Sequence, residues 1–214
     1  VTAPINKQSF SLAGKKEIGH QEILKNLTKS LDVYTMLVSG TLSCVHLSTH
    51  KSLIDACKFV TKQNIVKVIL KTHEQFQEWG INNAKIAVAA LNPHSGDNGL
   101  IGNEEVTQII PAVKETKKLG INVIGPIAAD VVFYKAINKE FDVVVVMYHD
   151  QGHIAIKVHG FEESVSVNVG LPIIRTSVDH GTAFDIAGKG IANENSMIEA
   201  IKLAIKLVEN KNGV

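Results

Sequence analysis

The stretch Asp142-Val143-Val144-Val145-Val146-Met147-Tyr148-His149-Asp150-Gln151-Gly152 decides the fold. A strand with one wet face would alternate apolar and polar residues, but the run from Val143 to Met147 is apolar throughout. It reads as a strand buried on both faces, as in parallel sheets covered by helices. Residues 85–91 (KIAVAAL) are a second run of this kind. Further strands are expected over residues 121–124, 164–169 and 172–175. Residues 34–38 and 41–47, split by Ser39-Gly40, read as a hairpin or an adjacent pair. Residues 51–80 have helical composition, broken near residues 61–63. Residues 103–119 read as a helix capped by Asn103, with Glu104 and Glu105 in its first turn, Pro111 kinking or dividing it, and Gly120 as its stop. A last helix is expected from a capping box of Ser196 and Glu199, with Met197, Ile198, Ile201, Ala204, Ile205 and Val208 on one face. This alternation predicts an α/β fold with a largely parallel sheet.

Composition agrees with a folded globular chain. Of 214 residues, 45% are hydrophobic and 20% charged, which excludes intrinsic disorder. Lys and Arg number 22 against 21 acids, so net charge gives no reason to expect nucleic acid or an anionic membrane as partner. No apolar run is long enough to span a bilayer, and no charged start followed by an apolar core marks a signal peptide. Two cysteines, Cys44 and Cys57, make no disulfide framework, which points to a reducing cytoplasm. The opening Val1-Thr2-Ala3-Pro4 reads as the end of a strand running into a loop. Composition alone shows no division into domains.

His50, His94 and His149 each follow a strand candidate. Ligands of open α/β sheets bind beyond the carboxyl ends of the strands, so these three imidazoles could converge. Three neutral imidazoles suit zinc, cobalt or nickel and leave positions for a substrate. Each alone reads more simply as a loop histidine satisfied by backbone. His153 and His159 are open between the two readings. Gly96, Gly99 and Gly102 punctuate the loop after His94; their spacing is not the dinucleotide fingerprint, and tight turning is the simpler purpose. Arg175, the only arginine, is expected at a strand end, as an anion clamp or in a surface ion pair. Lys157 stands among apolar neighbours, either snorkelling or held by an anionic ligand.

Several ordered motifs resemble one family. They are Leu91-Asn92-Pro93-His94-Ser95-Gly96, Gly125-Pro126 with Ala129-Asp130, Tyr148-His149-Asp150-Gln151-Gly152, and Gly170-Leu171-Pro172-Ile173-Ile174-Arg175-Thr176-Ser177 with Val178-Asp179-His180-Gly181-Thr182-Ala183. Together with Val1-Thr2-Ala3-Pro4-Ile5-Asn6-Lys7 and Gly19-His20-Gln21-Glu22, they are similar to the 4-hydroxythreonine-4-phosphate dehydrogenase family over essentially the whole chain. The resemblance implies an isocitrate/isopropylmalate-dehydrogenase-like fold lacking the family's N-terminal portion, so the chain is expected to be a fragment. Residues 8–165 would form the metal, substrate and dimerisation domain. Residues 166–214 would form the C-terminal part of the cofactor-binding domain.

The implied activity is NAD-dependent, divalent-metal-dependent oxidation and decarboxylation of 4-phosphohydroxy-L-threonine, in pyridoxal phosphate biosynthesis. Alternatives are a D-threonate or D-erythronate 4-phosphate dehydrogenase and an inactive metal-binding dimeric fragment. By resemblance, the metal (zinc, magnesium or cobalt) falls on His50, His94 and His149, in a site shared between the two subunits of a homodimer. Substrate contacts fall on His20, Gln21, Lys157, Ser166 and Arg175, and Asp130, Asp150 and Lys157 are the catalytic candidates. An adenine-binding loop similar to that of β-decarboxylating dehydrogenases places cofactor contacts on His180 and Asn193. Two positions depart from the family: Gln21 stands where threonine is usual, and Ser166 where asparagine is usual, with Asn168 two residues on.

Overall fold

A computed structural model describes residues 1–17 and 19–213. The elements in chain order are α1 (Lys7–Leu12), α2 (His20–Thr28), β1 (Tyr34–Ser39), β2 (Leu42–His46), α3 (Leu53–Phe59), α4 (Lys62–Glu78), β3 (Ile86–Ala89), α5 (Ile110–Lys118), β4 (Val123–Ile127), α6 (Ala129–Ile137), β5 (Val143–Val146), α7 (His149–Gly160), β6 (Val165–Val169), β7 (Thr176–Val178) and α8 (Asn195–Asn212). The strands form one sheet in the order β4-β3-β5-β2-β1-β6-β7. Strands β2, β3, β4 and β5 are mutually parallel; β6 runs with them, and β1 and β7 run against them. The sheet is therefore mixed, with most strands pointing one way.

Helices cover both faces. Val143 and Val145 of β5 pack into the layer of α4, α5 and α8, beside Ile65, Ile69, Ala112 and Ala200. Val144 and Val146 pack into the opposite layer with Val132 and Ala136 of α6 and Ile156 of α7. Successive residues of a strand face opposite ways, so a strand covered on both sides must be apolar at every position. The break between α3 and α4 is set by Thr61, whose side chain accepts a hydrogen bond from Asn64 N at 3.3 Å and caps α4.

Four expectations are corrected. Residues 172–175 are not a strand; β7 begins at Thr176, and Arg175 precedes it. Ser196 caps nothing, because its hydroxyl is buried and donates to Ser164 O at 2.9 Å, while Glu199 pairs with Lys202. The buried residues of α8 are Ser196, Ala200 and Leu207, whereas Ile198, Ile201, Ile205 and Val208 are exposed. Residues 103–119 divide into a π-helical turn, Glu105–Ile109, followed by α5 with Pro111 in its first turn, and Asn103 does not act as the side-chain cap.

The loop after β3 is built left-handed. His94, Ser95, Gly96, Asp97 and Asn98 all have φ between 42° and 74°. For residues with a Cβ this costs about 1–2 kcal/mol each, so the loop needs external support. Glu105, fully buried, supplies it. Its Oε1 accepts from Leu91 N at 2.8 Å and Asn92 N at 2.7 Å, and its Oε2 accepts from Asn92 Nδ2 at 2.9 Å. A Cβ at Gly96 would sit 2.6 Å from that Oε2, so glycine there meets both the positive φ and the close carboxylate. Glu105→Gln replaces one acceptor oxygen by a donor facing donors. It should lower the free energy of unfolding by about 1–3 kcal/mol, read from urea denaturation. An unchanged midpoint and slope would mean the loop holds its shape without the carboxylate.

Candidate functional site

A cavity of about 630 Å³ opens where α2, the ends of β1 and β6, the loop after β2 and the start of α7 meet. His20, Gln21, His50, His149, Ser166, Arg175 and His180 all line it, so most of the sequence-predicted substrate and metal residues come together there. A second cavity, of about 960 Å³, shares Pro4, Asp179, His180 and Gly181 with the first. Lys157 and Asn193 line this second space. Asp130 and Asp150 lie instead along a groove between α6 and α7, with Tyr148 and Ile154. His94 is exposed on its left-handed turn and is not among the residues around the histidine cavity.

Arg175 is the dominant charge. It is 8% exposed, and its Nε and Nη2 donate to Thr2 Oγ1 at 3.2 and 2.6 Å while Nη1 donates to Asn168 Oδ1 at 3.0 Å. These partners are neutral. Among the described residues, the ion pairs do not include Arg175. A buried guanidinium without a carboxylate is costly unless an anion joins it. Thr2 is brought to it by backbone pairing of the opening segment along β7, with Thr2 N donating to Thr176 O at 3.0 Å. Gln21 supports the same arrangement. Its Oε1 accepts from Asn168 Nδ2 at 3.1 Å and Thr35 Oγ1 at 2.8 Å, and its Nε2 donates to Val33 O at 3.1 Å. Burial and then Arg175 lower the His20 pKa, which favours a neutral imidazole beside the guanidinium.

The metal donors fit in part. Asp150 Oδ1 lies 2.6 Å from His149 Nδ1, which makes that nitrogen the donor and leaves Nε2 with its lone pair. The His50 ring centroid is 6.3 Å from that of His149. Burial, then Lys7 and His149, lower the His50 pKa and keep its imidazole available as a ligand. Among the described residues of one chain, no group of three His, Cys, Asp or Glu side chains comes together to hold a metal. His50 and His149 thus stand as two neighbouring imidazoles that no third such side chain joins in a metal-holding group among the described residues.

Lys157 Nζ pairs with Asp179 Oδ2 at 3.4 Å, on the wall between the two cavities, and Ser164 Oγ donates to the same oxygen at 3.1 Å. His180 donates through Nδ1 to Gly181 O at 2.9 Å, and Asn193 Oδ1 accepts from Asn195 N at 2.9 Å. Sequence reasoning gave none of these roles to Thr2, Asn168, Glu105 or His46. His46 ends β2 inside the sheet, where burial pushes its pKa down to about 3. A histidine next to the apolar pair Cys44-Val45 was its one visible signal. No helix among the described residues is long and apolar enough to cross a membrane.

The strand order and layered covering place the chain in a known dehydrogenase architecture. An isocitrate dehydrogenase from Methylococcus capsulatus superposes with a TM-score of 0.54 at 15% identity, over 98% of this chain and 68% of that one, which establishes the fold alone. The chain belongs to the family described as pyridoxal phosphate biosynthetic protein PdxA, whose model matches residues 1–204. A protein of Oceanobacillus iheyensis provisionally named D-threonate 4-phosphate dehydrogenase is 52% identical over 98% of this chain and 64% of its own length. The 4-hydroxythreonine-4-phosphate dehydrogenase of Klebsiella pneumoniae is 42% identical, with a TM-score of 0.88, over 96% of this chain and 63% of that one. The chain therefore spans less than two thirds of the length of these two relatives.

The unpaired guanidinium generates a test. Inorganic phosphate should raise the melting temperature of this chain, with added stability of about 2.7 kcal/mol at one hundred times the dissociation constant. Arg175→Lys loses the planar fork, and charge-assisted bonds contribute about 1.5–3 kcal/mol, so phosphate affinity should fall about 10- to 150-fold. Identical phosphate dependence in both proteins would assign Arg175 to holding Thr2 and Asn168 alone.

Proposed function

We propose that this chain carries most of the active site of an NAD-dependent, divalent-metal-dependent dehydrogenase acting on a phosphorylated hydroxy acid. The observation that carries this reading is Arg175, a buried cation without a carboxylate, in one cavity with His20, His50 and His149. Arg175 grips the substrate's phosphate or carboxylate, and His20 donates or accepts a hydrogen bond beside it. His50 and His149 hold the metal, with His149 Nε2 presented by the bond from Nδ1 to Asp150. A bound divalent cation would supply Lewis-acid polarisation of the substrate hydroxyl, and NAD would accept the hydride. Lys157, held by Asp179 between the cavities, is placed to pass a proton at Nζ or to contact substrate. His180 and Asn193 line the larger cavity, which suits a nucleotide.

The chain is proposed to work as a homodimer that completes the metal site. The groove between α6 and α7 supports this, because Ile154 and Val158 are exposed where they line it. A partner seated there would supply His94 as the third ligand and would cover Asp130 and Asp150, the two acids left outside the histidine cavity. The substrate we assign is 4-phosphohydroxy-L-threonine, by similarity to the Klebsiella enzyme. D-threonate 4-phosphate is the second reading, favoured by the name and 52% identity of the Oceanobacillus relative.

Zinc titration by calorimetry tests the metal assignment. Wild type should bind, and His149→Ala should lose most of the affinity; equal binding would remove His149 from the ligand set. Sedimentation at micromolar concentration with zinc should give a dimer, and a clean monomer would refute the shared site.

A further inference from the structure

His46 and His153 are used by none of these roles, yet they form a pair behind His149, the first buried and the second half-buried. His46 is 1% exposed, and its Nδ1 lies 3.2 Å from Thr35 O. A carbonyl only accepts, so Nδ1 carries the proton and, in the neutral ring that burial imposes, Nε2 is an acceptor. His153 Nδ1 lies 3.1 Å from that Nε2 and 3.0 Å from His149 O, both acceptors, so it too carries a proton and is shared between them. The hydrogen bonds thus run in one direction, from His153 to His46 to the β1 backbone. The result is a fixed ring plane at His153. That ring stacks on His149, with centroids 3.5 Å apart and planes within 10°. One turn of α7 separates the two residues, which places them on the same helix face. Gly152 makes the close approach possible, since a Cβ there would run into His46 Nε2.

We propose that His46 and His153 are positioning residues for His149: His46 locks the His153 ring, and the stacked His153 ring, with Asp150 on Nδ1, aims His149 Nε2 into the cavity. The value of this arrangement rests on the reading of His149 as a metal ligand. Partners that orient a ligating histidine typically account for about 10–100-fold in metal affinity. A merely structural role at His46 would be met by a leucine of similar size, which fills the space but makes neither bond.

The test combines zinc affinity with imidazole NMR on the metal-free chain. In wild type, nitrogen shifts should show His46 protonated at Nδ1 and not at Nε2; the opposite tautomer overturns the proposal. His46→Leu and His153→Phe should each weaken the zinc binding that His149→Ala abolishes by about 10–100-fold, while the urea midpoint shows the variant folded. Affinity within twofold of wild type in a folded variant overturns it. Should His46→Leu fail to fold, His153→Phe, at a half-buried position, decides the matter. Should wild type bind no zinc, the metal reading fails by itself. Ring relaxation at His149 then decides positioning: rigid in wild type and mobile in the variants supports it, and equal rigidity refutes it.

Discussion

Burial of both faces of β5 is the constraint on which the rest of the molecule depends. Val143 to Val146 have no exposed side, so the strand admits no polar side chain along its length. Chemistry is displaced to the point where the strand stops. There the chain turns into α7, and the first residue of the helix is His149, followed by Asp150. The same displacement operates at β3, whose four residues are all buried and whose continuation is the left-handed turn bearing His94. At β2 the rule bends, because His46 is a polar residue inside the sheet. It is tolerated there because both its ring nitrogens are bonded.

Much of the scaffold was legible because local signals and tertiary packing agree. The hairpin of β1 and β2, the two doubly buried strands and the interruption at Thr61 follow from composition and turn chemistry alone. The misreadings share a cause. Residues 172–175 are apolar enough for a strand, but only Arg175 reaches β6, its O accepting from Asn168 N at 3.3 Å, and pairing is a property of the neighbour as well as the run. The apolar stripe of α8 is real, but the sheet takes the narrower face of Ala200 and Leu207, which lets β7 approach closely, with Thr176 Oγ1 donating to Ala200 O at 2.7 Å. Of the site, the residues around the histidine cavity were named from strand ends and motifs. The roles of Glu105, Asn168 and Thr2 were not, since each acts by satisfying a distant group, Thr2 and Arg175 being 173 positions apart.

The site is also graded in charge. Arg175 is buried and held by neutral oxygens, and burial lowers the pKa of His20, His46, His50 and His153. Asp179 is tied to Lys157, and Asp150 is turned to His149. The buried guanidinium and the neighbouring imidazoles thus share one cavity with few charges tied directly to them.

The contact between Thr2 and Arg175 carries a mechanical consequence. The opening segment is laid along β7 and its hydroxyl latches two of the guanidinium nitrogens. An anion on Arg175 and the docking of this segment therefore share one side chain, and linkage makes their influence reciprocal. Whatever tightens the segment preorders the guanidinium for its ligand, and whatever occupies the cavity holds the segment down. Thr2 thereby couples the rim of the sheet at β7 to the interior of the cavity.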